Sequence, residues 1–214
     1  MPHNYPLLLD VSDRLIVIVG GGEVAVRKAC GLIDAGATRV RVISPAVHDR
    51  MPAMIEVVRE PYRPEHLKGA GLVFASTDDP HVNDQVVRDA HAMNLLVCRA
   101  DSDETNAGDF ATPAILRRGN VLVMVSTGGS PALAAKLRDA MAPHVTDRFT
   151  RMADLMQSLR SQIHAAGSLA ISRRRELFRT LASDEALDLL NRDGKQALFE
   201  WIIRQYPELE HHLK

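Results

Sequence analysis

Cysteine is nearly absent from this chain of 214 residues: Cys30 and Cys98 are the two it has. Two cysteines in separate segments give neither a disulfide framework nor the paired spacing of a zinc site. Cys30 lies on an expected helix and Cys98 ends an expected strand, so both read as small buried apolar residues. A surplus of charge is missing too. The 26 basic residues nearly balance the 27 acidic ones, which leaves no global field to draw in nucleic acid. No apolar run approaches the roughly 20 residues that a membrane-spanning helix needs. The opening stretch Met1–Asp10 has no basic region before its short apolar run. These absences give the expectation of a cytoplasmic protein with neither a membrane nor a nucleic-acid partner. Repeats and low-complexity tracts are also lacking.

What is present is apolar and periodic. Apolar residues make up 46% of the chain, enough for a core in one large domain or two small ones. Strand and helix signals alternate through the first half. Strands are expected at Leu15–Val19, Val40–Ile43, Ile55–Arg59, Leu72–Ala75 and Leu95–Cys98, and helices at Glu23–Ala35 and Pro80–Met93. Alternating βα units imply an α/β fold with a parallel, Rossmann-like sheet. Composition shifts near residue 111. A further strand, Val121–Ser126, then leads through Thr127-Gly128-Gly129 into a helix capped by Ser130 and opened by Pro131, running to about Met141. From His144 onward the pattern is helical, broken at Gly167 and Gly194. Phe149, Met152, Leu155, Met156 and Leu159 share one helical face, read first as core or dimer contact. The expected organisation is a Rossmann-like domain at 1–112, a small strand/helix dimerisation and active-site segment at 113–143, and a helical C-terminal segment at 144–214.

The strongest local signal is Leu15-Ile-Val-Ile-Val-Gly20-Gly21-Gly22-Glu23-Val24-Ala25. A β-branched run ends in glycines and becomes helical, the layout that holds a dinucleotide pyrophosphate. Gly20 turns without a Cβ penalty, Gly22 lets phosphate approach the backbone, and Ala25 keeps helix and strand close. The helix N–H groups then face the phosphates. After the second strand stand Ser44 and Pro45, where many NAD sites carry an acid. Ser44 can meet a ribose hydroxyl but does not repel a 2′-phosphate, and Arg41 and Arg50 are near in sequence, so this position leaves NAD against NADP open. Thr77-Asp78-Asp79 leaves the fourth strand at the edge where open α/β sheets hold ligands; Asp79-Pro80 is also a helix cap and turn. The loop from Arg99 to Pro113 carries Asp101, Asp103, Glu104 and Asp109, of which Glu104 and Asp109 read as a solvated turn. A shielded carboxylate there could serve as a general base. The loop Ser126-Thr127-Gly128-Gly129-Ser130-Pro131 can present amides to an anion, or be a tight connection with an ordinary serine cap. No His/Cys metal cage is visible, and His211-His212 read as a solvated tail.

These motifs taken together are specific. Gly20-Gly-Gly-Glu-Val-Ala-x-Arg-Lys28, Ala75-Ser-Thr-Asp-Asp79 with Asn83, Asp109-Phe-x-x-Pro-Ala114 and Ser126-Thr-Gly-Gly-Ser-Pro-Ala-Leu-Ala134 resemble the precorrin-2 dehydrogenase/sirohydrochlorin ferrochelatase family. That family includes the dehydrogenase–chelatase part of bacterial siroheme synthase. The resemblance implies NAD⁺-dependent oxidation of precorrin-2 to sirohydrochlorin, followed in bifunctional members by insertion of Fe²⁺, a substrate rather than a bound cofactor. It places the cofactor on Glu23, Val24, Ser44 and Pro45, the essential aspartate on Asp101, and the tetrapyrrole near the loop 126–130. The spacer from Asp101 to Phe110 is longer than usual, which makes Asp103 a substitute. Thr127 stands where some members have serine. The resemblance further implies an intertwined homodimer and a free-standing form lacking the fused methyltransferase. Arg117, Arg118, Lys136, Arg138, Arg148 and Arg151 are candidate partners for a polycarboxylate substrate. Two other readings compete: a dehydrogenase without chelatase activity, and a non-catalytic NAD-sensing module, which would have no reason to keep both later loops.

Overall fold

The first strand, β1 (Leu15–Val19), is buried along its whole length. It is covered on both faces, which is why the sequence there is a continuous apolar run rather than an alternation. The structure is a computed structural model and describes residues 5–101, 108–166 and 170–210. Four more strands, β2 (Arg39–Ile43), β3 (Glu56–Val58), β4 (Leu72–Ala75) and β5 (Val97–Arg99), join β1 in the order β3-β2-β1-β4-β5. Every pairing in this sheet is parallel. Helix α1 (Glu23–Asp34) joins β1 to β2, and α2 (Pro80–Ala92) joins β4 to β5. The parallel Rossmann-like sheet expected from the sequence is therefore present, and each expected strand in this half falls within a residue or two of an observed one.

The pleat divides the strand side chains between two cores. Ile16 and Ile18 of β1, with Val40, Val42, Leu72, Phe74 and Cys98, pack with Ala25, Ala29 and Leu32 of α1. Leu15, Val17 and Val19, with Ile43, Val73, Ala75 and Val97, pack with Val86, Val87 and Ala90 of α2. Cys98 is buried as expected, but Cys30 is exposed. The reading of Cys30 as a core residue is corrected: the buried residues of α1 are Ala25, Val26, Ala29 and Leu32, and Cys30, about 100° on from Ala29, falls outside this stripe on the margin beyond Val26. Helix α2 begins as its sequence suggests. Asp79 accepts the His81 N–H at 2.8 Å, and Pro80 occupies the first position.

The chain forms two compact units, divided between Thr112 and Pro113. The second contains an antiparallel hairpin of β6 (Ala114–Arg118) and β7 (Val121–Val125), then α3 (Pro131–Met141), α4 (Asp147–Ala166), α5 (Ile171–Leu181) and α6 (Asp184–Gln205). Strand β6 carries no clear signal, because Ala-Ile-Leu-Arg-Arg is half polar and none of its residues is buried. Between α5 and α6 lies a break that the sequence pattern does not announce; there Ser183 accepts the Ala186 N–H at 3.3 Å. The apolar face of α4 is used inside this unit. Met152, Leu159 and Ile163 join Leu177, Leu181, Leu190, Leu198 and Ile202 in one core, and Leu155 and Met156 pack against it. Phe149 alone of the expected stripe stays largely outside, 42% exposed.

Gly194 interrupts α6 with φ 86° and ψ −177°, a combination that essentially only glycine adopts. A Cβ there would meet nothing within 4 Å, so a side chain is opposed by the backbone and not by space. Gly194→Ala should lower stability by about 1–3 kcal/mol. Gly31→Ala should raise it by about 0.4–1 kcal/mol, since Gly31 is helical and equally uncrowded. Urea denaturation followed by circular dichroism measures both; a neutral Gly194→Ala would mean the bend relaxes freely into helix.

Candidate active site

The carboxyl ends of β1, β2, β4 and β5 bring four loops to one edge of the sheet. At the end of β1 three glycines have three different physical roles. Gly20 has φ +116°, and its ideal Cβ would lie 2.5 Å from the Ser76 carbonyl oxygen beyond β4. A Cβ on Gly21 would lie 2.1 Å from the Ala46 carbonyl oxygen beyond β2, and the Gly21 carbonyl accepts the His48 N–H at 2.8 Å. Around Gly22 a Cβ would meet nothing within 4 Å. So Gly20 and Gly21 are demanded by backbone crossing on either side, while Gly22 borders open space. The requirement at Gly21 has no local sequence signal, because the crossing loop that imposes it lies beyond the second strand.

Gly22 is the residue before α1, and no side chain caps that helix. The first amides of a helix have no intrahelical acceptor, so Glu23 and Val24 open the helix with donors that no capping side chain satisfies. Ala25 is fully buried against the sheet. An uncapped helix start beside a glycine with clearance suits a pyrophosphate. Ser44 donates its hydroxyl to the Ala46 carbonyl at 2.7 Å, so its oxygen retains acceptor capacity. Pro45 is exposed beside it. The two nearby guanidinium groups are already paired, Arg50 to Glu23 at 2.8 Å and Arg41 to Glu56 at 2.9 Å.

Beyond β4 and β5 the side chains form one connected network. Thr77 donates both its N–H, at 3.1 Å, and its hydroxyl, at 2.8 Å, to Asn83 Oδ1. Asn83, fully buried, donates through Nδ2 to the Thr77 carbonyl at 3.0 Å and to Asp101 Oδ2 at 2.9 Å. Arg99 holds the same carboxylate as a fork, through Nε to Oδ1 and through Nη2 to Oδ2. Its Nη1 donates to Asp84 Oδ1. Burial pushes the Asp101 carboxyl up, but the Arg99 fork and the Asn83 amide outweigh it and hold the group below the ordinary carboxylate value. The hydrogen bonds from Arg99 to Asp101, and then to Asp84, hold the guanidinium firmly protonated. Asp101 is thus presented as an oriented, ionised carboxylate. Its anchors, Arg99 and Asp84, have no motif signature in the sequence, and sequence reasoning does not find them.

Other expected residues fall differently. Asp103 and Glu104 lie outside the described residues. Asp109 is exposed at a bend, as expected of a solvated turn, and its carboxylate also accepts the Val97 N–H at 2.9 Å and meets His91 Nε2 at 3.1 Å, tying the returning loop to the edge of β5. In the second unit, Ser126, Gly128, Gly129 and Ser130 are exposed. Ser130 caps α3 by accepting the Leu133 N–H at 3.4 Å, and Thr127 donates its hydroxyl to the Ser130 carbonyl at 2.7 Å. Both hydroxyls therefore serve the local turn. Arg148 is paired with Asp184 and Asp188, and Arg138 with Asp139, while Arg117 and Lys136 are exposed. Among the described residues no group of three or more His, Cys, Asp or Glu could hold a metal ion, and no helix is long and apolar enough to cross a membrane.

Residues 7–114 match the model of a putative NAD(P)-binding family. The siroheme synthase of Tolumonas auensis is 32% identical over 206 residues, covering 94% of this chain and 43% of that protein. The siroheme synthase of Azotobacter vinelandii is 38% identical over 167 residues, covering 74% of this chain and 35% of that one. The chain thus spans less than half the length of these relatives. Among solved structures, SirC, precorrin-2 dehydrogenase, superposes with a TM-score of 0.74 at 24% identity, covering 94% of this chain and 100% of that one. The chain belongs to the NAD(P)-binding family, and the resemblance to siroheme synthase read from its motifs is borne out.

The three glycines can be told apart by stability alone. Gly21→Ala should cost about 1–3 kcal/mol, as an overpacked contact against backbone. Gly22→Ala should stay within about 0.5 kcal/mol, as a surface change does. Denaturant midpoints of the two variants check this; equal losses would mean that Gly22 is packed rather than open.

Proposed function

We propose that this chain oxidises precorrin-2 to sirohydrochlorin, with NAD⁺ as hydride acceptor and Asp101 as the carboxylate that takes up the proton. The observation that carries the reading is the placement of two functions on one sheet edge. An uncapped helix start with clearance at Gly22 lies across the β1–β4 crevice from an oriented carboxylate at the end of β5. Open parallel sheets hold ligands at that crevice. The names of the similar proteins, siroheme synthase and precorrin-2 dehydrogenase, supply the substrate.

When bound, the nicotinamide supplies the electron sink of the reaction. The chain's own residues do the rest. The amides that open α1 at Glu23 and Val24 hold the pyrophosphate, with Gly22 giving it room and Ala25 setting the helix close. Ser44 and Pro45 border the ribose, and Thr77 closes the floor between the glycine turn and Asn83. Net loss of two electrons and two protons from the tetrapyrrole is one hydride and one proton. Asp101 receives the proton, on a carboxylate kept ionised by Arg99 and steered by Asn83. The loop 126–130 is the proposed substrate-binding loop of the second unit, its exposed amides suited to an anion.

Absorbance of the purified protein with precorrin-2 and NAD⁺, first alone and then with Fe²⁺ or Co²⁺, reads oxidation and metal insertion separately. Oxidation without metal insertion would make it a dehydrogenase only; NAD⁺ binding with no turnover would make it a sensing module. Gly22→Asp should abolish NAD⁺ binding by calorimetry with the fold intact. Asp101→Asn should lower kcat by about 10²–10⁴-fold, and Asp103→Asn far less. The reverse ranking of the two aspartates would move the base to Asp103.

The chain acts as a homodimer in this reading. The apolar face of α4 is occupied within its own unit, so the support for pairing comes from the hairpin and α3. Among the described residues β6 and β7 pair only with each other. Ile115, Met124, Leu133, Leu137 and Met141 are each between 39% and 55% exposed, an uncovered apolar set that self-pairing would bury. Light scattering should give twice the chain mass, reduced to the chain mass in Met124→Glu/Leu133→Glu. A full-length monomer that is active at micromolar concentration overturns the dimer.

A further inference from the structure

The loop that follows β2 is fixed over the glycine turn. The His48 N–H donates to the Gly21 carbonyl at 2.8 Å. The Ala46 carbonyl oxygen lies 2.1 Å from where a Cβ on Gly21 would fall, and the Ser44 hydroxyl donates to that same carbonyl at 2.7 Å. The loop then holds its own next step, because the Arg50 N–H donates to His48 Nδ1 at 3.1 Å. From there the Arg50 side chain reaches back to α1, where Nη2 donates to Glu23 Oε1 at 2.8 Å. Glu23 is the acidic residue in the first turn of α1. A guanidinium anchored in this way stands beside the helix start that the function proposed above gives to the cofactor phosphates.

We propose that Glu23 is a specificity-determining residue for the cofactor: its carboxylate occupies Arg50, the cation on this loop suited to a 2′-phosphate, and so sets the site for NAD⁺ over NADP⁺. This rests on the dinucleotide lying along the glycine turn with its ribose by Ser44. Rossmann sites tell the two cofactors apart beyond the glycines: an acid bonds the ribose 2′-hydroxyl of NAD⁺, and an arginine nearby accommodates the 2′-phosphate of NADP⁺. Here the residue after β2 is Ser44, which is neutral, and the arginine is present. The departure from the pattern is that the acid stands on α1 and is bonded to the arginine. The discrimination that a carboxylate after β2 would exert is moved to the first residue of the helix.

The pair has the chemistry for this. Both side chains keep most of their surface in water, 67% for Arg50 and 71% for Glu23. An exposed pair contributes little to stability, so the guanidinium is open to a phosphate arriving from solvent. A phosphate brought to Arg50 also comes against the Glu23 carboxylate, and like charges at that range oppose binding. NAD⁺ carries a hydroxyl in place of that phosphate and meets no such penalty. The other guanidinium near in sequence is set apart by strand register: Arg41 lies opposite Glu56 of β3 and pairs with it at 2.9 Å. His48 Nε2 is 3.9 Å from Glu23 Oε1, beyond hydrogen-bond range, so among the described residues Arg50 is the direct partner of this carboxylate.

Calorimetric titration of the full chain with NAD⁺ and with NADP⁺ reads the ratio of the two affinities. Low ionic strength is used, where exposed charges are least screened. The wild-type chain should bind NAD⁺ more tightly. Glu23→Gln keeps the size of the side chain and removes its charge. NADP⁺ should then tighten about tenfold relative to NAD⁺, the scale of one hydrogen bond to a charged group. In Glu23→Gln/Arg50→Ala most of that gain should disappear. A ratio unmoved by Glu23→Gln overturns the proposal, as does a wild-type chain that prefers NADP⁺. A gain that persists in full without Arg50 also overturns it, since lost repulsion alone would then account for the change. The two readings fail apart. A wild-type chain that binds neither dinucleotide removes the cofactor site and this proposal with it, whereas tight NAD⁺ binding with an unchanged ratio removes only the role of Glu23.

Discussion

The structure depends on the burial of β1 on both faces. A strand covered by helices on each side has to lie in the middle of a parallel sheet, with β2 on one edge and β4 on the other. The chain that leaves its carboxyl end must then pass between two neighbouring loops. That passage is why Gly20 and Gly21 meet Ser76 and Ala46 so closely, and why the helix that follows starts over open space rather than against protein. The site is therefore a product of packing: the crevice lies where the apolar core of the sheet stops and its neighbours diverge.

Much of this is legible in the sequence, for reasons that differ by residue. The glycine turn reads clearly because strand, turn and helix are consecutive, so local pattern and tertiary role coincide. Asp79-Pro80 and Ser130-Pro131 read clearly because capping is local chemistry. Gly21, Arg99 and Asp84 do not. Each owes its role to a partner 15 or more residues away, or, for Arg99 and Asp101, to a geometry that only the end of β5 creates. Strand β6 escapes the pattern because it forms a surface hairpin, where alternation is not enforced by two buried faces. Cys30 is misplaced by residue type, which suggests burial, whereas the stripe of α1 is already fixed by Ala25, Val26, Ala29 and Leu32. The helical face of α4 reads correctly as apolar; what covers it, α5 and α6, follows from a turn at Ser183 that carries little signal beyond its cap.

The acidic loop after β5 shows how similar residues separate by environment. Asp109 and Asp101 are both aspartates at the edge of one strand. Asp109 accepts a strand amide and so continues the ladder where β5 has no further neighbour among the described strands. Asp101 accepts from a guanidinium and a buried amide, and keeps part of its surface open. The first arrangement closes an edge; the second leaves a charged group available. Its lowered proton affinity is also a stability term with a definite sign. A carboxyl held below its ordinary value stabilises the fold above the ordinary carboxylate range, and that contribution is lost as pH falls through the lower, folded value.

A carboxylate so held is a weak base, which bears on the kind of step it can serve. General bases work best with proton affinity near the operating pH, and Asp101 lies on the acidic side of that. Removal of a hydride from a reduced tetrapyrrole, however, leaves the carbon framework electron-poor, and protons beside a cationic centre are strongly acidic. A base facing such a proton needs to be ionised and correctly placed more than it needs to be strong. Arg99 and Asn83 provide both conditions, since the fork fixes the carboxylate plane and the charge keeps it deprotonated. In the function proposed above, a weak, oriented base of this kind suits a proton lost with or after the hydride rather than before it.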